Sequence, residues 1–435
     1  MRLLPLCVAA ALLPLLAAPA VADTPVPLST DAARIRHVFV IVLENKNYAN
    51  TFGTSRQDPY LQHTLVPGGA LLTQYYGTGH YSLDNYISMI SGQAATTDTE
   101  DDCPPEVDGH DSYTDVRSTG LTADGQIIAQ GGCIYPASVK SLPDQLEAAG
   151  LRWRGYMQDM GNDPARERST CGHPPIGIGT DFTTAAEAPS SVVPQGDAYA
   201  TRHNPFMYFH SIIDAPSCDT NVVRLEQLTQ DLQRVESTPN FAFITPNLCD
   251  DGHDGNGTGE KGKRCVNGQP GGLRSADRFL RAWVPRIMSS AAYRRDGLII
   301  ITFDEGDYLA TRSLDRRGGQ LHIQLTFPGR SCCGQHPGPN IAAQRPSRQR
   351  IVDTPRQIVD VVFQGYGGDR IGAVLLSPFI RPGSQSSVPY NHYSLLRSLE
   401  DIFQLPQYLG YAADSPDHSY HLYSIGEDRA IFSAP

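Results

Sequence analysis

Short apolar runs recur along the chain at 38–43 (VFVIVL), 241–245 (FAFIT), 298–303 (LIIITF) and 373–377 (AVLLS), each bounded by loop-like stretches. They are continuous and mostly β-branched rather than alternating, the pattern of strands buried on both faces of a mostly parallel sheet. Between them the apolar spacing becomes helical. Leu225, Leu228, Leu232 and Val235 form one stripe. Ser141 is placed to cap a helix that runs through Glu147 and is ended by Gly150. Residues 273–290 read as a helix that Pro285 should kink, and 393–403 (YSLLRSLEDIF) carry apolar residues on one side. This order predicts an α/β fold with a mostly parallel central sheet sandwiched by helices. Two long polar segments rich in Gly and Pro, 96–132 and 164–216, interrupt it and read as disulfide-stapled loop insertions rather than separate domains.

Composition fits long ordered loops around a buried scaffold, with 40 glycines and 33 prolines among 435 residues and 19% charged side chains. A formal net charge of −11 lacks the basic footprint of a nucleic-acid binder. Residues 1–22 (MRLLPLCVAAALLPLLAAPAVA) combine one Arg, an apolar run and a small-residue end, the pattern of a secretory signal peptide cleaved after Ala22. Pro5, Pro14 and Pro19 interrupt that run, which argues against a stable membrane span, and no later stretch approaches the ~18 apolar residues that crossing requires. Residues 23–435 are then expected to form one secreted domain. Of the nine cysteines, Cys7 leaves with the signal peptide, and the even remainder favours disulfides. Cys103 with Cys133, and Cys249 with Cys265, each close a Gly- or Asp-rich loop and are the preferred pairs. The adjacent Cys332 and Cys333 are expected to find distant partners.

Chemistry-bearing residues cluster where the apolar runs end. Glu44 and Asn45 follow the first run, and Asp304 and Glu305 follow the third. Ligands of open α/β sheets bind beyond the carboxyl ends of the strands, and these oxygen donors suit a divalent cation. Each pair alone could be an exposed strand end with a capping Asn. Adjacent carboxylates, however, repel one another unless a cation compensates them. In GHYSLDNY at 79–86, Ser82 stands where a loop enters a helix. It reads either as a simple helix cap or as a nucleophile activated by a metal ion. Asn85, one turn on, could donate to a phosphoryl oxygen. The segment PNLCDDGHDG at 246–255 packs Asp250, Asp251, His253 and Asp254 behind another run. It reads as a metal or acid–base site, an Asp-Gly turn or a structural calcium loop; the spacing of an EF-hand is absent. His392 precedes the last helix, where a cap or a packed residue is the plainer reading.

Five segments in order resemble one family: LENKNY at 43–48, GHYSLDNYISMISG at 79–92, TPNLCDDGHDG at 245–255, IITFDEGD at 300–307, and AVLLSPFIRPG with YNHYSLLRSLEDIFQLP at 373–406. This is the phosphoesterase family of bacterial phospholipases C and acid phosphatases, within the alkaline-phosphatase-like superfamily. Ser82-Leu83-Asp84-Asn85-Tyr86 also looks like the Thr-Phe-Pro-Asn-His nucleophile segment of nucleotide pyrophosphatases in that superfamily. The resemblance implies an alkaline-phosphatase-like fold, with Glu44, Asn45, Asp304 and Glu305 as metal ligands and Ser82 as the metal-bound nucleophile. It places His253 and His392 near the leaving group or, with Asp250, at a second metal. Asp304-Glu305 stands where two-zinc members carry Asp-His, and Glu44 where they carry Asp. This shift towards oxygen leaves Ca, Mg, Mn and Zn, and one ion or two, open. The modification motif of sulfatases is absent around Ser82. The implied activity is hydrolysis of a phosphate-ester substrate by a secreted, metal-dependent phosphatase or phosphodiesterase. About 30 residues follow the last motif, too few for the β-rich domains of the phospholipase branch. A phospholipase C-type hydrolase and a non-catalytic, metal-stabilised binding protein are the alternatives.

Overall fold

The computed structural model describes residues 31–432 except 54–55, 104–112, 179–195, 261–263, 267, 315–318, 342–345 and 414–421. The predicted signal peptide lies outside the described residues. The main sheet comprises β1 (His37–Leu43), β2 (Ala70–Leu72), β3 (Trp153–Met157), β4 (Val222–Arg224), β5 (Phe241–Thr245) and β6 (Gly297–Phe303). A second sheet follows, built from β7 (Leu309–Leu314), β8 (Leu321–Phe327), β9 (Ser347–Asp353) and β10 (Gln357–Phe363). Strands β11 (Ala373–Leu376) and β12 (Ser384–Ser386) then return to the main sheet. Its order is β12-β2-β11-β6-β1-β5-β3-β4, and only β11 runs against the others. Every residue of β1, β5, β6 and β11 is buried, as their unbroken apolar runs predict.

The main helices are α1 (Ser82–Ser91), α2 (Leu142–Ala148), α3 (Gly272–Ser289) and α4 (His392–Ile402). Ser141 caps α2 through a reciprocal capping box with Asp144, and Pro285 sits inside α3. The stripe from Leu225 to Val235 is largely not helical, and only Gln227–Asp231 forms a helix there. The Ser237 and Thr238 hydroxyls both donate to the Asp231 carbonyl and turn the chain before the helix can continue.

Disulfides Cys103–Cys133 and Cys171–Cys218 close the two loop insertions, and Cys249–Cys265 closes the loop after β5. Cys332 bonds its neighbour Cys333 rather than a distant partner. The Cys332 carbonyl accepts the Gln335 N–H at 3.0 Å, and Cys333 has a φ of 64°, so the pair lies in one tight turn. The second sheet is unevenly buried: β7 is exposed along its whole length, whereas Ile358, Val359, Val361 and Phe363 of β10 are buried. Its inner edge is fixed by Phe327 and Phe363, which stack 4.9 Å apart and pack against Tyr81 and His80 beside α1. Among the described residues no helix is long and apolar enough to cross a membrane.

Candidate active site

The neighbouring strands β5, β1 and β6 deliver acids to one edge of the main sheet. Leu43 pairs with Phe303 across β1 and β6, so Glu44 and Asp304 leave the sheet side by side. Asn45 then turns at a φ of 52°, and its N–H donates to Asp304 Oδ1 at 2.9 Å. The loop after β5 brings in Asp251, whose carbonyl accepts the Glu44 N–H at 2.9 Å. Glu44, Asp251 and Asp304 are all fully buried. Burial, followed by the charges of Asp304 and Asp251, raises the Glu44 carboxyl well above its ordinary range. Asp251 is raised likewise by burial and by Asp254, and Asp304 is raised by burial.

Ser82 meets this group from α1. Tyr81, immediately before it, has a φ of 74° and makes no side-chain cap. Such a strained conformation persists only where its surroundings enforce it. A Cβ at Gly79 in the same loop would stand 2.0 Å from Asp84 Oδ2, so a larger residue there would have to push the buried Asp84 carboxylate aside. Ser82 is the first residue of the helix, and its hydroxyl is not spent on capping: it donates to Glu44 Oε2 at 2.9 Å. Tyr86, one turn on, donates to Glu44 Oε1 at 2.5 Å.

The structure redistributes several predicted roles. The Asn85 amide is engaged within its own loop. Its Oδ1 accepts the N–H groups of Thr78 and Gly79, and its Nδ2 donates to the Gly79 and Tyr81 carbonyls, so it clamps the serine loop. His392 is buried, with Nε2 at 2.5 Å from the Asp304 carbonyl oxygen and Nδ1 at 3.1 Å from the Tyr75 hydroxyl. Burial holds it down at about 4, and the neutral ring braces the Asp304 backbone. Asp250 accepts from Gln158 Nε2 at 2.9 Å, which makes Asp251 the acid that the β5 loop gives to the site. Glu305 pairs with His80, whose Nε2 lies 3.3 Å from Asp369 Oδ2. Although burial pulls His80 down, Glu305 and Asp369 hold it up at about 9. His253 is partly exposed, and its N–H donates to Asp251 Oδ1 at 2.9 Å.

His203 carries no motif in the sequence, yet it completes the group. Its ring stacks on Tyr86 with centroids 5.4 Å apart, and its nitrogens lie 3.6 Å from Glu44 Oε2 and 3.8 Å from Asp251 Oδ2. Burial, then Arg202, pushes it well below its ordinary value, so the ring is neutral. Both its nitrogens, together with Asp251 Oδ2 and Asp304 Oδ2, are buried without a hydrogen-bond partner. Orphaned atoms of this kind, beside carboxylates that burial makes hard to ionise, fit a divalent cation in donor chemistry. Among the described residues, however, no group of three or more His, Cys, Asp or Glu side chains is spaced to hold a metal ion.

A helix-borne serine thus faces buried acids at the carboxyl edge of a mostly parallel sheet. The chain belongs to the Phosphoesterase family, whose model matches residues 54–406. It is 22% identical over 278 residues to a probable acid phosphatase of Kluyveromyces lactis, covering 64% of this chain and 49% of that protein. To a phosphate-repressible acid phosphatase of Penicillium chrysogenum it is 25% identical, covering 56% and 42%. The chain thus spans about half the length of these relatives or less. A phosphatidylinositol-3-phosphatase of Mycobacterium tuberculosis is 21% identical, with 87% of this chain and 80% of that one covered. A solved alkaline phosphatase superfamily structure from Vibrio parahaemolyticus has a TM-score of 0.43 at 10% identity, covering 88% of this chain and 72% of that one.

Proposed function

We propose that the chain is a phosphoric-ester hydrolase, acting first on monoesters, with Ser82 Oγ as nucleophile. The observation that carries this is the buried 2.9 Å hydrogen bond from Ser82 to Glu44 at the start of α1. It leaves the hydroxyl beside the acids instead of on the helix backbone. Glu44, Asp304 and Asp251 would hold a divalent cation, with Asn45 and His203 beside them. Such a cation supplies Lewis acidity that lowers the serine hydroxyl pKa and spreads charge on the phosphoryl oxygens. Ser82 Oγ forms a bond to phosphorus as the bond to the leaving oxygen breaks, giving a phosphoserine that water then cleaves. His253, the partly exposed histidine of the group, protonates the leaving oxygen. Family membership and the acid phosphatase relatives support the reaction class. The signal-like N-terminus and the disulfides support action outside the cytoplasm.

A second reading, a lipid phosphate monoester as substrate, is favoured by the relative named phosphatidylinositol-3-phosphatase, the one of these three that is matched over most of its own length. Rates on an aryl phosphate monoester, an aryl phosphate diester, phosphatidylcholine and phosphatidylinositol 3-phosphate, each with and without chelator, separate the readings. Preference for the diester or phosphatidylcholine would favour a phospholipase C-type enzyme. Metal binding with no turnover on any of the four would leave a binding protein.

A further inference from the structure

The loops that carry the acids also wall a cleft of about 340 Å³. Lys46 enters it from the loop after β1, Asp307 from the loop after β6, and Gly255 and Asn256 from the loop after β5. The first turn of α3 faces it through Gly272 and Leu273, and Arg56 closes another side. The cleft therefore lies beside the candidate active site, on the same three loops. Only Asn45 lies between Glu44 and Lys46, at most about 7 Å from Cα to Cα, within the span of one small molecule.

Its lining is built of donors. Lys46 Nζ donates to the Asn45 carbonyl at 2.9 Å and keeps further donor capacity. The exposed Arg56 guanidinium has no acidic partner among the described residues. Asn256 Oδ1 is already taken by the Thr258 N–H and hydroxyl, which leaves its amide nitrogen to donate. Helix α3 starts at Gly272, after Gly271, with no side-chain cap and no acid in its first turn; the Gly272 N–H donates to the Asp254 carbonyl at 2.6 Å, and the rest of the positive end adds to the cations. Asp307 is the one acid in the lining and answers Lys46.

We propose that this cleft is a leaving-group subsite selecting phosphate monoesters whose alcohol portion carries a second anionic group, such as a polyol bisphosphate. Arg56, Lys46 and the Asn256 amide receive the second phosphate while the first faces Ser82. This rests on the phosphomonoesterase reading of the Ser82 site.

The test compares kcat/KM for glucose 1,6-bisphosphate and glucose 6-phosphate in the wild type and in Arg56→Glu, with an aryl phosphate as reference substrate. Expected is at least a tenfold preference for the bisphosphate in the wild type, falling at least tenfold in Arg56→Glu through a rise in KM. Equal rates on both sugars, or a preference that Arg56→Glu leaves intact, overturns the subsite. Failure of the wild type to hydrolyse the aryl phosphate overturns the Ser82 reading instead. In that case calorimetric titration with glucose 1,6-bisphosphate still decides the cleft: binding lost in Arg56→Glu upholds it, and no binding by the wild type removes it.

Discussion

The Tyr86 hydroxyl donates to Oε1 of Glu44 at 2.5 Å, while Oε2 of the same carboxylate receives Ser82. Glu44 is thus oriented by two hydroxyls one helical turn apart, and the face of α1 that carries Ser82 also fixes its acid. Tyr86→Phe keeps the ring stacked on His203 and removes only the donor. Hydrogen bonds to charged groups contribute about 1.5–3 kcal/mol, and partners of metal ligands typically carry about 10–100-fold in affinity or activity. A loss of that size in kcat or in metal affinity is expected. Unchanged values for both would show that Glu44 needs no such orientation.

Ser82→Ala removes the proposed attacking atom without touching a cap, since the Ser82 hydroxyl is turned to Glu44. Turnover should fall by several orders of magnitude, with unfolding free energy changed by no more than about 1–2 kcal/mol. Ser82→Thr should recover part of the rate. Near-normal turnover in the alanine variant would instead assign the attack to water, with His253 or a neighbouring carboxylate as base.

The core strands were legible because burial on both faces leaves unbroken apolar runs, and 241–245 matches β5 residue for residue. The acidic strand ends were legible because each follows such a run, and the serine loop because it leads into a helix. The second sheet was not: a strand such as β7, exposed along its length, needs no apolar pattern. His203 was equally hidden. It lies in a short turn, Thr201–His203, and reaches Glu44 only through the folding of a long insertion. The division between Asp250 and Asp251 depends on which carboxylate Gln158 captures, and residue type alone does not encode that.

The Cys249–Cys265 disulfide closes the loop that presents Asp251, His253 and Asp254, with a separation of 16 residues. In the chain-entropy account a closed loop of this size stabilises the fold by about 3 kcal/mol. The Cys249→Ser/Cys265→Ser pair should unfold at lower denaturant and lose activity as Asp251 drifts from Glu44. Guanidinium titration measures the first effect and phosphatase assays the second. An unchanged midpoint would mean that the small cluster of Leu248, Val266 and neighbouring residues already fixes the loop.

Glu400 supplies a stability switch remote from this chemistry. It lies fully buried on α4, and its Oε1 accepts the Leu409 N–H at 2.9 Å. Burial raises its carboxyl well above the ordinary range, against a partial pull from the Leu409 N–H, Gln145 and Arg397. The folded protein therefore holds this proton more tightly than the unfolded chain does. The benefit of the protonated form is complete below the unfolded pKa, about 4.3, and is lost as pH rises towards the folded value. Glu400→Gln keeps the acceptor for Leu409 and removes the titration. Its stability relative to wild type should grow between pH 5 and pH 8, by about 1.4 kcal/mol for each unit by which the carboxyl is raised, and level off below about pH 4. Thermal or denaturant unfolding of both proteins across that range gives the difference directly. A gap that stays constant with pH would mean that Glu400 is ionised in the folded state with its charge fully compensated.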